Sequence, residues 1–217
     1  MSIKLFFAPG ACSFVPHAML EIAGVNFEPT MVRLHKGEQR TADYLALNPH
    51  GQVPVLVDDG VAITQIVAIL LHLDAKLPQA HILPAGGMVR THALSLLAWM
   101  NNTVHPTFTH FFMPGKFSDD EAAKKSMQIF AVARYRECLQ DIEALAAKAS
   151  PWLFGEHPGA VDAYALTLLR WGGYAGIDPT TLPATWALAQ RFAALPAVAT
   201  VVERERLQLN VYQAPAG

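Results

Sequence analysis

The 217-residue sequence holds only two cysteines, Cys12 and Cys138. Two thiols cannot build a disulfide framework, and their scarcity fits a reducing compartment. No Cys-x-x-Cys is present, because Val15 occupies the second position of that spacing. A dithiol redox cycle with an adjacent resolving thiol is therefore excluded. Charge is also scarce, at 16% of residues, and nearly balanced: sixteen basic against eighteen acidic side chains, for a formal net charge of -2. A nucleic-acid binder needs a basic face, and this balance argues against one. Apolar runs are short. Ile66 to Leu71 falls far below the ~20 residues that a membrane span needs. The opening run, Ile3 and then Leu5 to Ala8, is broken by Lys4 and closed by Pro9-Gly10, too short for the apolar core of a secretory signal. A soluble, cytoplasmic protein with no membrane or nucleic-acid partner is expected. The glycines form no phosphate-binding fingerprint. His105 and His110 are five apart rather than the three or four that share a helix face, so no metal site is expected.

What the sequence does have is core material: 52% of its residues are apolar. Residues 3 to 8 read as a short strand ended by Pro9-Gly10. From Ser13 to Gly24 the apolar residues recur at helical spacing, with Ser13 as N-cap, Pro16 in the first turn and Gly24 as the stop. Residues 27 to 34 read as a second strand, placed at an edge by Pro29. A short helix over 41 to 47 leads to a hairpin, 53 to 57 and 61 to 64, turning at Asp58-Asp59-Gly60. An apolar helix follows over 66 to 77. The first 78 residues are thus β-α-β followed by β-β-α. Residues 79 to 87 form a linker rich in proline and glycine. Beyond it only helical patterns are strong: 88 to 112, 118 to 150 with Ser118 opening a capping box, 160 to 171, 182 to 195 and 196 to 209. A small α/β domain over 1–78 joined to an all-α bundle over 88–217 is expected.

Three segments carry a family resemblance. Asn48-Pro49-His50-Gly51-Gln52-Val53-Pro54-Val55-Leu56 resembles the Asn-Pro-x-Gly-x-Val-Pro-x-Leu segment of glutathione transferases. Pro9-Gly10-Ala11-Cys12-Ser13 with Pro16-His17 is similar to the N-terminal turn of the bacterial beta-class branch. Ala160-Val161-Asp162-x-Tyr164 resembles the family's buried N-capping segment. The resemblance runs in the right order over nearly the whole chain. It implies a thioredoxin-like N-terminal domain, an all-helical C-terminal domain, a homodimer, and glutathione as cosubstrate for attack on a small apolar electrophile.

Cys12 lies at the start of the first helix, where unsatisfied N–H groups and the helix dipole favour a thiolate, either its own or a ligand's. Ser13 offers a hydroxyl at the same place. Proline after Val53 removes a donor and, in the cis form, turns the chain so that the Val53 N–H and C=O face an extended tripeptide. The segment around them includes Gln52. Thr64-Gln65-Ile66 opens a helix whose N-terminus suits a γ-glutamyl carboxylate, with Gln65 accepting from the ligand's amino group. Family members usually place a Ser after this Glu or Gln. Ile66 departs from that, leaving either a core side chain or a backbone N–H for the ligand. His105 matches the position where beta-class relatives carry a His facing the bound thiol, although Pro106 stands where Lys is common. Asn102, one turn earlier, points into the site or across a dimer interface. Lys36 is a candidate partner for the glycyl carboxylate. The aromatic segments 105–112 and 171–174 are candidates for the electrophile's wall.

Overall fold

The computed structural model describes residues 2–214; the last three residues of the expected helical domain lie outside that range. The first half rests on alternation. In β1 (Ile3–Phe7) the side chains of Ile3, Leu5 and Phe7 are buried, while Lys4 and Phe6 are partly exposed. This is the period of two that divides a strand between two faces. The buried set joins α1 (Phe14–Ile22) and α3 (Ile66–Lys76) in the main core. On the other face Phe6, Val32 and Val55 form a smaller cluster with Tyr44 of α2 (Ala42–Leu47).

The four strands run in the order β2-β1-β3-β4. β2 (Glu28–Met31) pairs parallel with β1, whereas β3 (Val55–Asp58) and β4 (Val61–Thr64) add antiparallel. The sheet is therefore the mixed, thioredoxin-like one. β2 is an edge strand, as Pro29 requires, and is shorter than the stretch 27 to 34. β3 begins two residues later than expected. Pro54 has no N–H to pair, and the Val53–Pro54 peptide is cis. At the hairpin turn Asp59 and Gly60 take φ of 45° and 87°, the left-handed pair of a type I′ turn.

The second half is helical: α4 (Gly87–Trp99), α5 (His105–Phe112), α6 (Glu121–Ala146), α7 (Ala160–Tyr174), α8 (Pro183–Ala193) and α9 (Pro196–Arg204). The single helix expected over 88 to 112 is interrupted. A π-helical turn, Met100–Val104, separates α4 from α5, and the His105 N–H reaches back five residues to the Met100 C=O. Pro106 explains the break, since its ring cannot tolerate the carbonyl four residues back and it has no N–H to offer. The capping expectation at Ser118 is also corrected. Asp120 caps α6 by accepting from the Ala123 N–H at 2.6 Å, while the Ser118 hydroxyl only accepts from the Asp120 N–H at 3.1 Å.

α7 is the axis of the bundle and is almost wholly buried. Its start is fixed by Asp162, which accepts from the N–H groups of Gly159 (2.9 Å) and Leu153 (3.0 Å). Burial lifts that carboxyl to about 6, against the pull of these backbone donors. A Cβ on Gly159 would stand 3.0 Å from the Ile82 carbonyl oxygen. The close passage of residue 82 is thus the reason for glycine at the cap. α1 packs on both α7 and α9, so the two halves share one core. Among the described residues no single helix is long and apolar enough to cross a membrane, and α8 and α9 meet at 91°.

Candidate active site

The loop between β1 and α1 carries Cys12, and the helical half holds it in place. The Gly10 C=O accepts from the Trp171 indole N–H at 2.8 Å, and the Gly10 N–H donates to Glu205 at 2.9 Å. Gly10 has φ +70°, and a Cβ there would lie 2.8 Å from the Arg170 guanidinium. The left-handed conformation calls for glycine, and a side chain there would also have to displace the Arg170 guanidinium. Glu205 is itself buried and bonded to His17 at 2.7 Å. No motif or spacing in the chain marks residues 171 and 205 as the clamps of this turn.

Ser13 is not where its chemistry was expected. The side chain is fully buried, and its hydroxyl accepts from the Ala8 N–H (3.1 Å) and donates to the Ala8 C=O (3.2 Å). It makes no capping bond to α1 and has no hydroxyl to spare for a ligand. Cys12 is half-buried, and its Sγ donates to the Val53 C=O at 3.7 Å. Burial pushes its thiol up to about 12, although its own N–H and that of Ser13 oppose the rise. Of the two thiolates expected at this helix start, desolvation disfavours that of Cys12 itself, and a ligand's is the one that remains. The N–H groups of Phe14 and Val15 are already taken by the carbonyls of Ala11 and Cys12.

Across the cleft the Val53 N–H carries no hydrogen bond within the described chain, while the Gln52 C=O is held by the Tyr44 hydroxyl (2.9 Å) and the Asn48 amide (2.7 Å). Gln52 and Gln65 are exposed. Gln65 sits at the N-cap of α3 with φ +69°, a strained conformation of the kind found at ligand sites. The Ile66 side chain is buried in the core. Its backbone N–H and those of Val67 and Ala68 are unpaired, which leaves the start of α3 open to an anion.

His105 stands at the start of α5, its ring edge-on to Trp171 at 4.8 Å. Its Nδ1 is 2.9 Å from the Tyr164 hydroxyl, which also lies 3.4 Å from Asn101 Oδ1. Burial, aided by the Lys116 charge, lowers His105 to about 4, so the ring is neutral at physiological pH. The phenol of buried Tyr164 is raised well above its ordinary value by burial and by Cys12 nearby. His105, Tyr164 and Cys12 therefore belong to one neighbourhood. Tyr164 was legible only as part of a capping segment. Its spacing of seven from Trp171, one face of α7, is the signal that could have placed it here.

Of the aromatic wall, Phe108 and Trp171 are core residues stacked at 4.9 Å. Phe112 (51% exposed) and Tyr174 (45%) continue that stack to the surface. Lys36, on the 3-10 turn Leu34–Lys36, is exposed and makes no ion pair among the described residues. Asn102 is exposed and accepts from the Thr103 hydroxyl at 2.7 Å. Among the described residues no cluster of three or more His, Cys, Asp or Glu side chains is arranged to hold a metal.

Residues 1–75 match the family model described as the glutathione S-transferase N-terminal domain. The chain is 32% identical to glutathione S-transferase GstA of Escherichia coli over 209 residues, covering 95% of this chain and 100% of that one. The structure superimposes on a glutathione transferase homologue from Sulfitobacter with bound glutathione at a TM-score of 0.88 and 25% identity, over 95% of this chain and 99% of the other. A bacterial beta-class glutathione S-transferase from Sphingomonas chungbukensis aligns at a TM-score of 0.80 and 30% identity, over 94% and 100% of the two chains.

Proposed function

The chain belongs to the glutathione S-transferase family and is a transferase, and on that premise we propose that it joins the glutathione thiol to small apolar electrophiles. The unpartnered Val53 N–H beside Cys12 carries this reading. An extended tripeptide pairs with it as an added strand. Its γ-glutamyl carboxylate then lies against the open N–H groups of Ile66, Val67 and Ala68, with Gln65 accepting from its amino group. Lys36 meets the glycyl carboxylate from its exposed turn. Asn102 and Gln52 border the bound peptide.

The ligand's sulfur reaches the Cys12 turn. Cys12, held as a thiol, turns its S–H from the Val53 C=O to the sulfur anion, and the N–H groups of Cys12 and Ser13 add to its stabilisation. His105 accepts the leaving proton on its way to solvent. The thiolate attacks the electrophilic carbon, and the leaving group departs with the bonding pair. Phe112 and Tyr174 give the electrophile an apolar face. Homodimerisation is part of the proposal, supported by large apolar side chains exposed on α4 (Met88, Val89) and α6 (Ile129, Phe130). So are a cytoplasmic setting and a division into 1–78 and 88–217 across a linker at 79–87.

A steady-state assay with a chloronitroarene, together with calorimetric titration of glutathione, tests the reading. Saturable conjugation is expected. Neither turnover nor binding at millimolar glutathione would remove it. A second reading, a glutathione-binding protein without turnover, is favoured by the protonated Cys12 and the engaged Ser13 hydroxyl. Binding without conjugation would select it. Mixed-disulfide exchange through Cys12 is the remaining variant, and loss of exchange in Cys12→Ala with conjugation retained would assign it.

A further inference from the structure

His105 is neutral, and a neutral imidazole carries its single proton on one nitrogen only. Which nitrogen decides whether the ring gives a proton to sulfur or takes one. Two part-buried contacts bear on the choice. The Tyr164 hydroxyl has one proton and two neighbours, His105 Nδ1 at 2.9 Å and Asn101 Oδ1 at 3.4 Å. Asn101 Oδ1 can only accept. With Asn101 Oδ1 facing the phenol, both contacts are satisfied together in one way: Tyr164 donates to Asn101, and His105 donates its Nδ1–H to the Tyr164 oxygen. His105 Nε2, which makes no hydrogen bond within the described chain, is then left with a bare lone pair.

We propose that Tyr164 and Asn101 are positioning residues that fix His105 as the Nδ1–H tautomer, so that its Nε2 accepts the S–H of an incoming thiol and does not donate to a thiolate. This deepens the proposed reaction and rests on it for the identity of the thiol, but the tautomer itself is a property of the free protein. The arrangement is economical in place. Tyr164 lies in α7, Asn101 in the π-helical turn and His105 at the first residue of α5. The π turn forced by Pro106 thus also brings Asn101 within reach of the same hydroxyl. The charged and titratable groups that bear on this trio are Lys116, just beyond α5, Cys12 from the β1–α1 loop and Tyr135 of α6.

The test is long-range proton–nitrogen NMR of the histidine rings in the ligand-free protein, with the His105 signals identified by their loss in His105→Gln. A protonated Nδ1 and a bare Nε2 are expected. A protonated Nε2 overturns the proposal, because the amide of Asn101 and the whole chain of donors would then run the other way. In Tyr164→Phe the Nδ1–H loses its acceptor, and the ratio should move toward Nε2–H by roughly fivefold or more. Asn101→Ala, which leaves the core intact, frees the Tyr164 proton for Nδ1 and should move it the same way. An unchanged ratio in Asn101→Ala also overturns the proposal. Since no glutathione is needed, failure here is separable from failure of the transferase reading, which the binding titration reports.

Discussion

Two helices begin at the cleft, and they begin differently. At α3 the N–H groups of Ile66, Val67 and Ala68 are all open. At α1 the N–H groups of Phe14 and Val15 are spent on the carbonyls of Ala11 and Cys12, Pro16 has none, and the Ser13 hydroxyl is tied to Ala8. Both ends carry the same dipole in principle. α3 has three such donors free, whereas α1 keeps only the N–H groups of Cys12 and Ser13, which face the Cys12 sulfur. A helix N-terminus attracts an anion in proportion to its unsatisfied donors, and at α1 the burial of Cys12 outweighs the few that remain. On the proposed reading the α3 end is the anchor for a charged group, and the α1 end a half-buried socket that favours a neutral Cys12 thiol.

The sharpest way to break this contrast is to measure the reactivity of Cys12. With its thiol near 12, roughly one molecule in 10⁵ is a thiolate at pH 7, against a few per cent for an ordinary cysteine. Alkylation by iodoacetamide in a Cys138→Ser background should be on the order of 10³ slower than for a free thiol and should still be rising at pH 10. A plateau below pH 8 would show that α1 is an anion site after all. Next in size is the other helix. A glutathione analogue lacking the γ-glutamyl α-carboxylate should bind about 10²-fold more weakly by calorimetry, the loss of charge-assisted bonds at Ile66 to Ala68.

A smaller effect is expected from Trp171→Phe, which removes the indole bond to Gly10. It should cost about 1 kcal/mol in denaturant stability and lower conjugation kcat/KM several-fold by loosening the Cys12 turn. Smallest of all, Cys12→Ala should change kcat/KM for conjugation by only about threefold, as expected for one weak S–H donor. A loss of 10³ or more would make Cys12 itself the reacting group.

Much of this was legible in the sequence for reasons that are local. The period of two in Ile3, Leu5 and Phe7, the Asp59-Gly60 turn, and the Pro29 edge are each fixed by a few neighbouring residues. Pro106 announced a break in the helix, though not that the chain would absorb it as a π turn. The site was legible as positions rather than as chemistry. Cys12 does meet the Val53 C=O, and Cys12 and His105 do share Tyr164 as a neighbour, because a strand end, a cis-proline loop and a helix start converge there. Their protonation states depend on burial and on partners far along the chain, Tyr164 beside His105 and Glu205 beside Gly10. No spacing rule within a short window reports such pairs. Ser13 was misread for the opposite reason: its hydroxyl found a nearer backbone partner in Ala8 than any ligand could be.

The central claim is that glutathione lies along Val53 with its acidic end on the open start of α3. Backbone amide shifts recorded while glutathione is added test it most directly. The account predicts that the amides of Val53, Ile66, Val67 and Ala68 move furthest and saturate together. Saturation with those four unmoved, and the amides of Phe14 and Val15 displaced instead, would contradict it.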